Sequence, residues 1–445
     1  MNLETNYKIQ KKGITLVIPN PCGNIKETKM KNSGVEWIGE IPENWESIRL
    51  KYIYSTTKAK LPKQFYDDKN LTPYLSMDFI RDSINTEPVY AKDGDYCSEE
   101  DILILWDGSN AGEIVFNHPA GYAPSTTAIL KKLSTQSLPV YDKFYLKALE
   151  DDLRRNTNGM GIPHVNGSYL NNSLFLLPPK STQQRIATYL DKKCSKIEET
   201  IQNQQQVIEK LKAYKQSLIT EAVTGKVKIE NGKICGEYES YKDSGVEWIG
   251  KIPSGWEVGK FGRFAQVKSN LVDPNLYLEY PQIAPDNICK GSGKLLDWQT
   301  VKDSGVISWN HLFFKGQIVY SKIRPTLNKL IIAPFDGLCS ADMYPIETNM
   351  YKQFFVYMML SQYFVEQVGL ITRDRVKMPK INQNELSGIL ITVPTKEEQK
   401  EISDYLDKKC TAIDTAIEQK QKLIEKLTEY KKSLIYECVT GKRIV

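Results

Sequence analysis

Apolar residues recur at steps of three and four through residues 182–223: Ile186, Leu190, Cys194, Ile197, Ile201, Ile208, Leu211, Leu218 and Ala222, with a doubled step where Gln204 interrupts. The same spacing returns at Ile402, Leu406, Cys410, Ile413, Ile417, Ile424, Leu427, Leu434 and Cys438. This narrow seam is the heptad pattern of a coiled coil rather than the broad face of a globular helix. Neither segment has an internal proline or glycine, and both end in Thr-Gly-Lys, where glycine supplies a left-handed cap. Two seams of equal length most simply bury each other, and an antiparallel pair would relate the halves by a pseudo-twofold axis. Pairing with helices of another molecule is the alternative.

Between and before these helices the pattern changes to short β-rich runs broken by turn residues: ILILW at 102–106, EIVF at 113–116, QIVYSKI at 317–323 and KLIIA at 329–333. Each stretch, 46–180 and 257–395, also carries one predicted helix, at 140–153 and 351–368, and closes on a strand leading to proline, SLFLLPP and GILITVP. The turns GIPHVN (161–166) and KMPKIN (377–382) correspond. The expected fold is two mixed α/β domains of one kind, separated by two long antiparallel coiled-coil helices in a pseudo-twofold repeat.

The repeat extends to SGVEWIGEIPENW at 33–45 and SGVEWIGKIPSGW at 244–256, an offset of 211, against 216 for the long helices. The enclosed stretches therefore differ by about five residues, yet share little sequence. Trp37, Ile38, Ile41 and Trp45, with Trp248, Ile249, Ile252 and Trp256, are expected to clamp each domain to the helices. The organisation reads as an N-terminal extension (1–30), a first domain (31–180), a long helix (181–226), a linker (227–243), a second domain (244–396) and a second long helix (397–445).

Composition adds little. The 445 residues suit two or three domains, and a net charge of +5 permits a polyanionic partner without requiring one. The eight cysteines form no C-x-x-C pair, which points to reduced thiols in a cytoplasmic protein. Neither a secretory signal nor a membrane span is expected. The chain lacks G-x-x-x-x-G-K-[ST] and G-x-G-x-x-G, and His118, His164 and His311 are scattered. No catalytic residue, metal site or bound cofactor is predicted. A binding protein is the leading reading; a self-contained methyltransferase with degenerate motifs and a coiled-coil interaction scaffold are the others.

The paired SGVEWIG-x-IP motifs, the helix entries PPKSTQQRIATYLD and VPTKEEQKEISDYLD and the twin helices resemble the DNA-specificity subunits of type I restriction-modification systems. The second entry has the Glu398-Gln399 of the family's Pro-x-x-x-Glu-Gln-x-x-Ile pattern; the first reads Gln183-Gln184. The resemblance implies two target-recognition domains, each reading half of a bipartite, gapped sequence in double-stranded DNA. It implies helices that set the gap and dock two methyltransferase subunits, with two motor-nuclease subunits joining. S-adenosylmethionine, ATP and Mg²⁺ would belong to those partners, in phage defence.

Phosphate contact needs Lys and Arg, and base readout needs forked or amide side chains. In the first domain these requirements select Lys58, Lys60, Lys63 and Gln64 in an early polar loop. They also select Trp106, Asp107, Ser109 and Asn110 in the turn after a strand, and Arg154, Arg155, Asn156 and Asn158 in RRNTNGMG. In the second they select Lys268, Ser269 and Asn270; Lys322, Arg324, Asn328 and Lys329 in SKIRPTLNK; and Arg373, Arg375 and Lys377. The first domain's turn has glycine and small polar residues where the second has Arg324, so the two half-sites are expected to differ.

Overall fold

A computed structural model describes residues 29–445 apart from Ser83, Met160, Trp248 and Val376. Trp248, Cys22 and the first 28 residues of the N-terminal extension lie outside the described residues. The chain divides into two compact units, one of residues up to Asn203 with Leu423–Val445, the other Gln204–Lys422.

The first unit holds a four-stranded antiparallel sheet in the order Ile114–Val115, Ile102–Leu105, Thr127–Lys132, Tyr54–Lys58. A five-stranded mixed sheet joins it, ordered Phe65–Tyr66, Val89–Ala91, Thr72–Tyr74, Gly121–Tyr122, Tyr96–Cys97. The second unit repeats the four-stranded sheet as Leu330–Ile332, Ile318–Ser321, Met343–Thr348, Ala265–Val267. Its five-stranded sheet differs at an edge. In the first unit the chain leaving the four-stranded sheet forms Phe65–Tyr66, beside Val89–Ala91. In the second it forms Leu271–Val272, beside Asn310–Phe313 at the opposite edge. The five-residue length difference falls between the strands Tyr54–Lys58 and Ile102–Leu105, because strand registers keep the offset of 211 at the first and 216 from the second onward.

The long helices are Lys180–Val223 and Lys396–Val439, 44 residues each, or about 66 Å at 1.5 Å per residue. Within the first unit Glu198 pairs with Lys431 at 2.5 Å. Within the second, Lys215 pairs with Asp414 at 2.8 Å and Lys420 donates to Gln204 at 3.0 Å. Numbers rise along one helix as they fall along the other, so each unit contains an antiparallel pair. The apolar positions serve the domain cores as well as each other. Ile186, Leu190, Cys194, Ile197 and Leu434 join the core of the first unit, with Ile201 and Leu427 packed against it. Leu218, Ile402, Leu406, Cys410 and Ile413 join that of the second, with Leu211 and Ile417 against it. Ile208 is buried and Ile424 half-buried.

The repeated motifs interlock. In the first unit the strands Met30–Asn32 and Glu40–Pro42 form a hairpin, and Ile38, Ile41 and Trp45 are buried. Gly441, left-handed at φ 75°, ends the second long helix against it, where a Cβ would meet Pro42 Cδ at 2.3 Å. In the second unit Gly225, at φ 69°, ends the first long helix, and a Cβ there would meet Pro253 Cδ at 2.3 Å. Only glycine satisfies both the turn and the close approach. Lys226 Nζ then donates to the Ile249 and Lys251 carbonyls, each at 3.0 Å.

The helix entries correct the alignment of their Gln residues. Gln183 is buried and accepts from Leu138 N–H at 2.8 Å while donating to Pro178 O at 2.8 Å. Gln399 accepts from Tyr351 N–H at 2.7 Å and donates to Pro394 O at 2.9 Å. Gln183 is therefore the counterpart of Gln399, and Thr182 stands where the second copy has Glu398. Each Gln ties its long helix to the start of a domain helix, Pro139–Arg155 in the first unit and Lys352–Leu360 in the second. The helix expected at 351–368 is broken: Lys352–Leu360 and Gln362–Thr372 meet at 59°, with Ser361 extended at ψ 153° between them. The linker is more than a connection, since it carries the hairpin Ile229–Glu230/Lys233–Ile234 and the strand Tyr241–Asp243, paired with Lys251–Pro253.

Candidate nucleic-acid interface

Each four-stranded sheet ends a central strand in a turn packed against a second loop, and several of the selected polar residues gather there. In the first domain Asp107 follows the strand Ile102–Leu105 and bridges backbone to His164. Its carboxylate meets His164 Nδ1 at 2.6 Å and Lys58 Nζ at 2.9 Å. Burial opposes ionisation of Asp107, but these bonds outweigh it and hold its carboxyl below the usual range. Asn158 exchanges both backbone bonds with His164 at 2.8 Å. Trp106 is half-buried against the domain core, and a Cβ at Gly167 would touch its ring at 3.0 Å, so it supports the turn. Ser109, Arg154, Arg155 and Asn158 are exposed; Asn110 is half-buried, as is Asn156, whose amide donates to Asp152 O at 2.8 Å.

The early loop is organised separately. Lys60 and Lys63 backbone N–H groups are held by Asp95 at 2.7 Å and Asp93 at 3.1 Å, leaving both side chains exposed; exposed Gln64 accepts from Tyr66 OH at 3.2 Å. Lys268, near Gln266 and Glu347, Ser269 and Asn270 match that loop only at its start, because the chains then run to opposite sheet edges.

The second domain builds its turn on the same backbone bonds. Ile323 bridges Lys380, Arg324 N–H donates to Pro379 O at 2.7 Å, and Leu327 N–H donates to Arg324 O at 2.8 Å. The first-domain counterparts are Asp107 with His164, Gly108 to Pro163 at 3.0 Å, and Ala111 to Gly108 at 2.9 Å. Lys322 lies over the Tyr344 ring at 5.2 Å. Arg375 is engaged by Glu385 and the Lys380 carbonyl, whereas Arg373 and Lys377 are exposed. Two selected residues point inward instead. Asn328 is 3% exposed, its amide donating to Met359 O at 2.8 Å; Lys329 Nζ donates to Pro285 O at 2.8 Å.

Sequence reasoning passed over His164 and Lys380. The matched turns GIPHVN and KMPKIN marked them, but as structure rather than as partners of the turn after the central strand. Among the described residues no cluster of three or more His, Cys, Asp or Glu could hold a metal, and no single helix is long and apolar enough to cross a membrane.

The fold is that of a solved chain from work on complex assembly and conformational transition of the type I R-M system, with a TM-score of 0.64 at 12% identity over 91% of this chain and 99% of that one. The MjaVIII specificity subunit of Methanocaldococcus jannaschii is 30% identical over 90% of this chain and 93% of its own length. The EcoDI specificity subunit of Escherichia coli is 28% identical over 91% and 89%. The family model for the type I restriction modification DNA specificity domain matches twice, at residues 42–213 and 253–428. The chain belongs to this family, as the DNA-specificity subunit of a type I restriction-modification complex whose catalytic activities lie in the methyltransferase and restriction subunits.

Proposed function

We propose that residues 31–180 and 244–396 are two target-recognition domains, each reading one half of a bipartite, gapped sequence in double-stranded DNA. The observation that carries this reading is the same turn, on the same backbone bonds, presenting different side chains in the two domains: Asp107, Ser109 and Asn110 in one, Lys322 and Arg324 in the other. A shared frame with exchanged side chains suits two half-sites of different sequence. Lys58, Lys60, Lys63, Arg154, Arg155, Lys268, Arg373 and Lys377 supply the cations for phosphates.

The long helices, 181–226 and 397–445, hold the half-sites apart and dock two methyltransferase subunits; two motor-nuclease subunits complete the assembly in the cytoplasm. S-adenosylmethionine, ATP and Mg²⁺ are bound by those partners. A base-modification map of the host genome with and without the gene tests this reading. The expected result is loss of methyladenine at one bipartite, gapped motif. An unchanged map with the methyltransferase subunit expressed would leave the chain an interaction scaffold.

A further inference from the structure

The two reading turns share their backbone but not its ease. Both need a left-handed residue at each end. The first domain places glycine there, Gly108 at φ 103° and Gly112 at φ 92°. The second places Arg324 at φ 42° and Asn328 at φ 48°, flanking the short turn Pro325–Leu327. Glycine adopts this backbone without a Cβ penalty, whereas other residues rarely do. Arg324 also precedes a proline, where extended backbone is favoured. Left-handed non-glycine residues persist where the surroundings over-determine them, and they gather at functional sites. Since glycine serves at both positions in one copy, the side chains explain their presence in the other.

Those side chains are placed differently. Asn328 is buried, with its side-chain N–H on the Met359 carbonyl and its backbone carbonyl accepting from Gly291 N–H at 3.1 Å; its side-chain Oδ1 is buried without a hydrogen-bond partner among the described residues. It fixes the end of the turn. Arg324 is exposed, and among the described residues its guanidinium makes no hydrogen bond or ion pair. Its backbone is clamped by Pro379, and the adjoining Ile323 by Lys380. A phosphate can be met by any long, mobile cation nearby. A guanine edge requires a planar fork, through O6 and N7 in the major groove, and the clamped backbone fixes the point from which the Arg324 fork reaches.

We infer that Arg324 reads a guanine in the second half-site and that Asn328 is the residue that positions it. This rests on the DNA-reading role proposed above. The test is Arg324→Gly in the assembled methyltransferase complex, because glycine keeps the turn and removes only the side chain. Its melting temperature should equal or exceed that of the unaltered complex. Discrimination at one G·C pair of the second half-site should fall roughly ten- to hundredfold, with the first half-site unaffected.

Uniformly weaker binding with a salt slope reduced by about one would make Arg324 a phosphate contact. Relaxation at an A·T pair would make it a reader of minor-groove width. Either result, or unchanged discrimination, overturns the inference. Asn328→Gly should lose part of the selectivity at that same G·C pair; unchanged selectivity, or a change at another position, overturns the positioning role. If the unaltered complex shows no sequence preference at all, the reading role itself has failed, before any variant is made.

Discussion

The two domains solve one packing problem with opposite chemistry. In the first, Tyr54 OH donates to Asp142 at 2.5 Å and Lys132 bonds the same oxygen, inside the fold, with Asp142 fully buried. Burial, and the carboxylate beside it, push the Tyr54 phenol well above its usual range. Strand register and helix bonding place Ala265, Thr348 and Phe355 at these positions in the second domain. Phe355 is fully buried among Phe261, Phe354 and Phe364. A buried ionic cluster and an apolar one thus support the same sheet and helix. The backbone frame is what the repeat preserves, and the core can be exchanged beneath it as freely as the side chains of the turn after the central strand.

The largest expected effect tests that exchange. Asp142→Ala leaves Lys132 and Tyr54 without their partner and is expected to cost roughly 3–5 kcal/mol in the first unit. Amide hydrogen exchange in Thr127–Lys132 and Pro139–Arg155 would report it. Installing the second domain's set together, Tyr54→Ala, Lys132→Thr and Asp142→Phe, should recover most of that loss, since a well-packed apolar cluster often replaces a buried ion pair without penalty. A triple variant as unstable as the single one would show that the two cores are not interchangeable.

A second contrast lies on the helices. Each unit has one equivalent ion pair between them, Glu198 with Lys431 and Asp414 with Lys215. The second unit adds Lys294, from a domain loop, to Asp414 at 2.8 Å. Burial opposes ionisation of Asp414, but the bonds from Lys215 and Lys294 prevail and hold its carboxyl below the ordinary 3.8. A depressed carboxyl stabilises the fold above its unfolded pKa, and the contribution fades as pH falls through the folded one. The second unit should therefore lose stability as pH drops below about 4. Lys294→Ala should shrink that acid-dependent loss and Asp414→Asn should remove Asp414's share of it, leaving that of Glu347 and Glu385, whose carboxyls are also held low by bonds from Gln317 and Arg375. Equal acid sensitivity in all three proteins, measured by denaturant unfolding, would detach the loop from the helices' stability.

The paired helices, the clamping motifs and the doubled α/β plan were legible because repetition and heptad spacing are local, periodic signals. The break at Ser361 was not: the residues before it, Phe354–Leu360, are apolar and buried throughout, and such a run carries no period whose end would mark the break. The shift of one sheet edge was equally hidden, since two-residue strands such as Phe65–Tyr66 and Leu271–Val272 leave no alternation to read. Of the candidate DNA contacts, composition could select Arg324 and Asn328 together. Only the backbone separated them, one clamped outward and the other bonded into the core.

The helix entries give the smallest contrast. Glu398 accepts from Thr395 N–H at 3.1 Å and Thr395 OH at 2.9 Å, Thr395 Oγ1 accepts from Glu398 N–H at 3.3 Å, and Trp256 Nε1 donates to the same carboxylate at 3.0 Å. This reciprocal box satisfies N–H groups that a helix start otherwise leaves open, and its carboxylate faces the positive end of the dipole. In the first copy Thr182 replaces Glu398 and Pro179 replaces Thr395. Proline has neither the hydroxyl nor the N–H that the box uses, although its fixed φ suits a helix start. Glu398→Thr should accordingly cost about 1 kcal/mol in the second unit. The reverse change, Thr182→Glu, should gain only about 0.3–0.5 kcal/mol in the first, from the dipole alone. A full kcal/mol gained there would mean that the carboxylate, and not its exchange of bonds with Thr395, is what holds the entry.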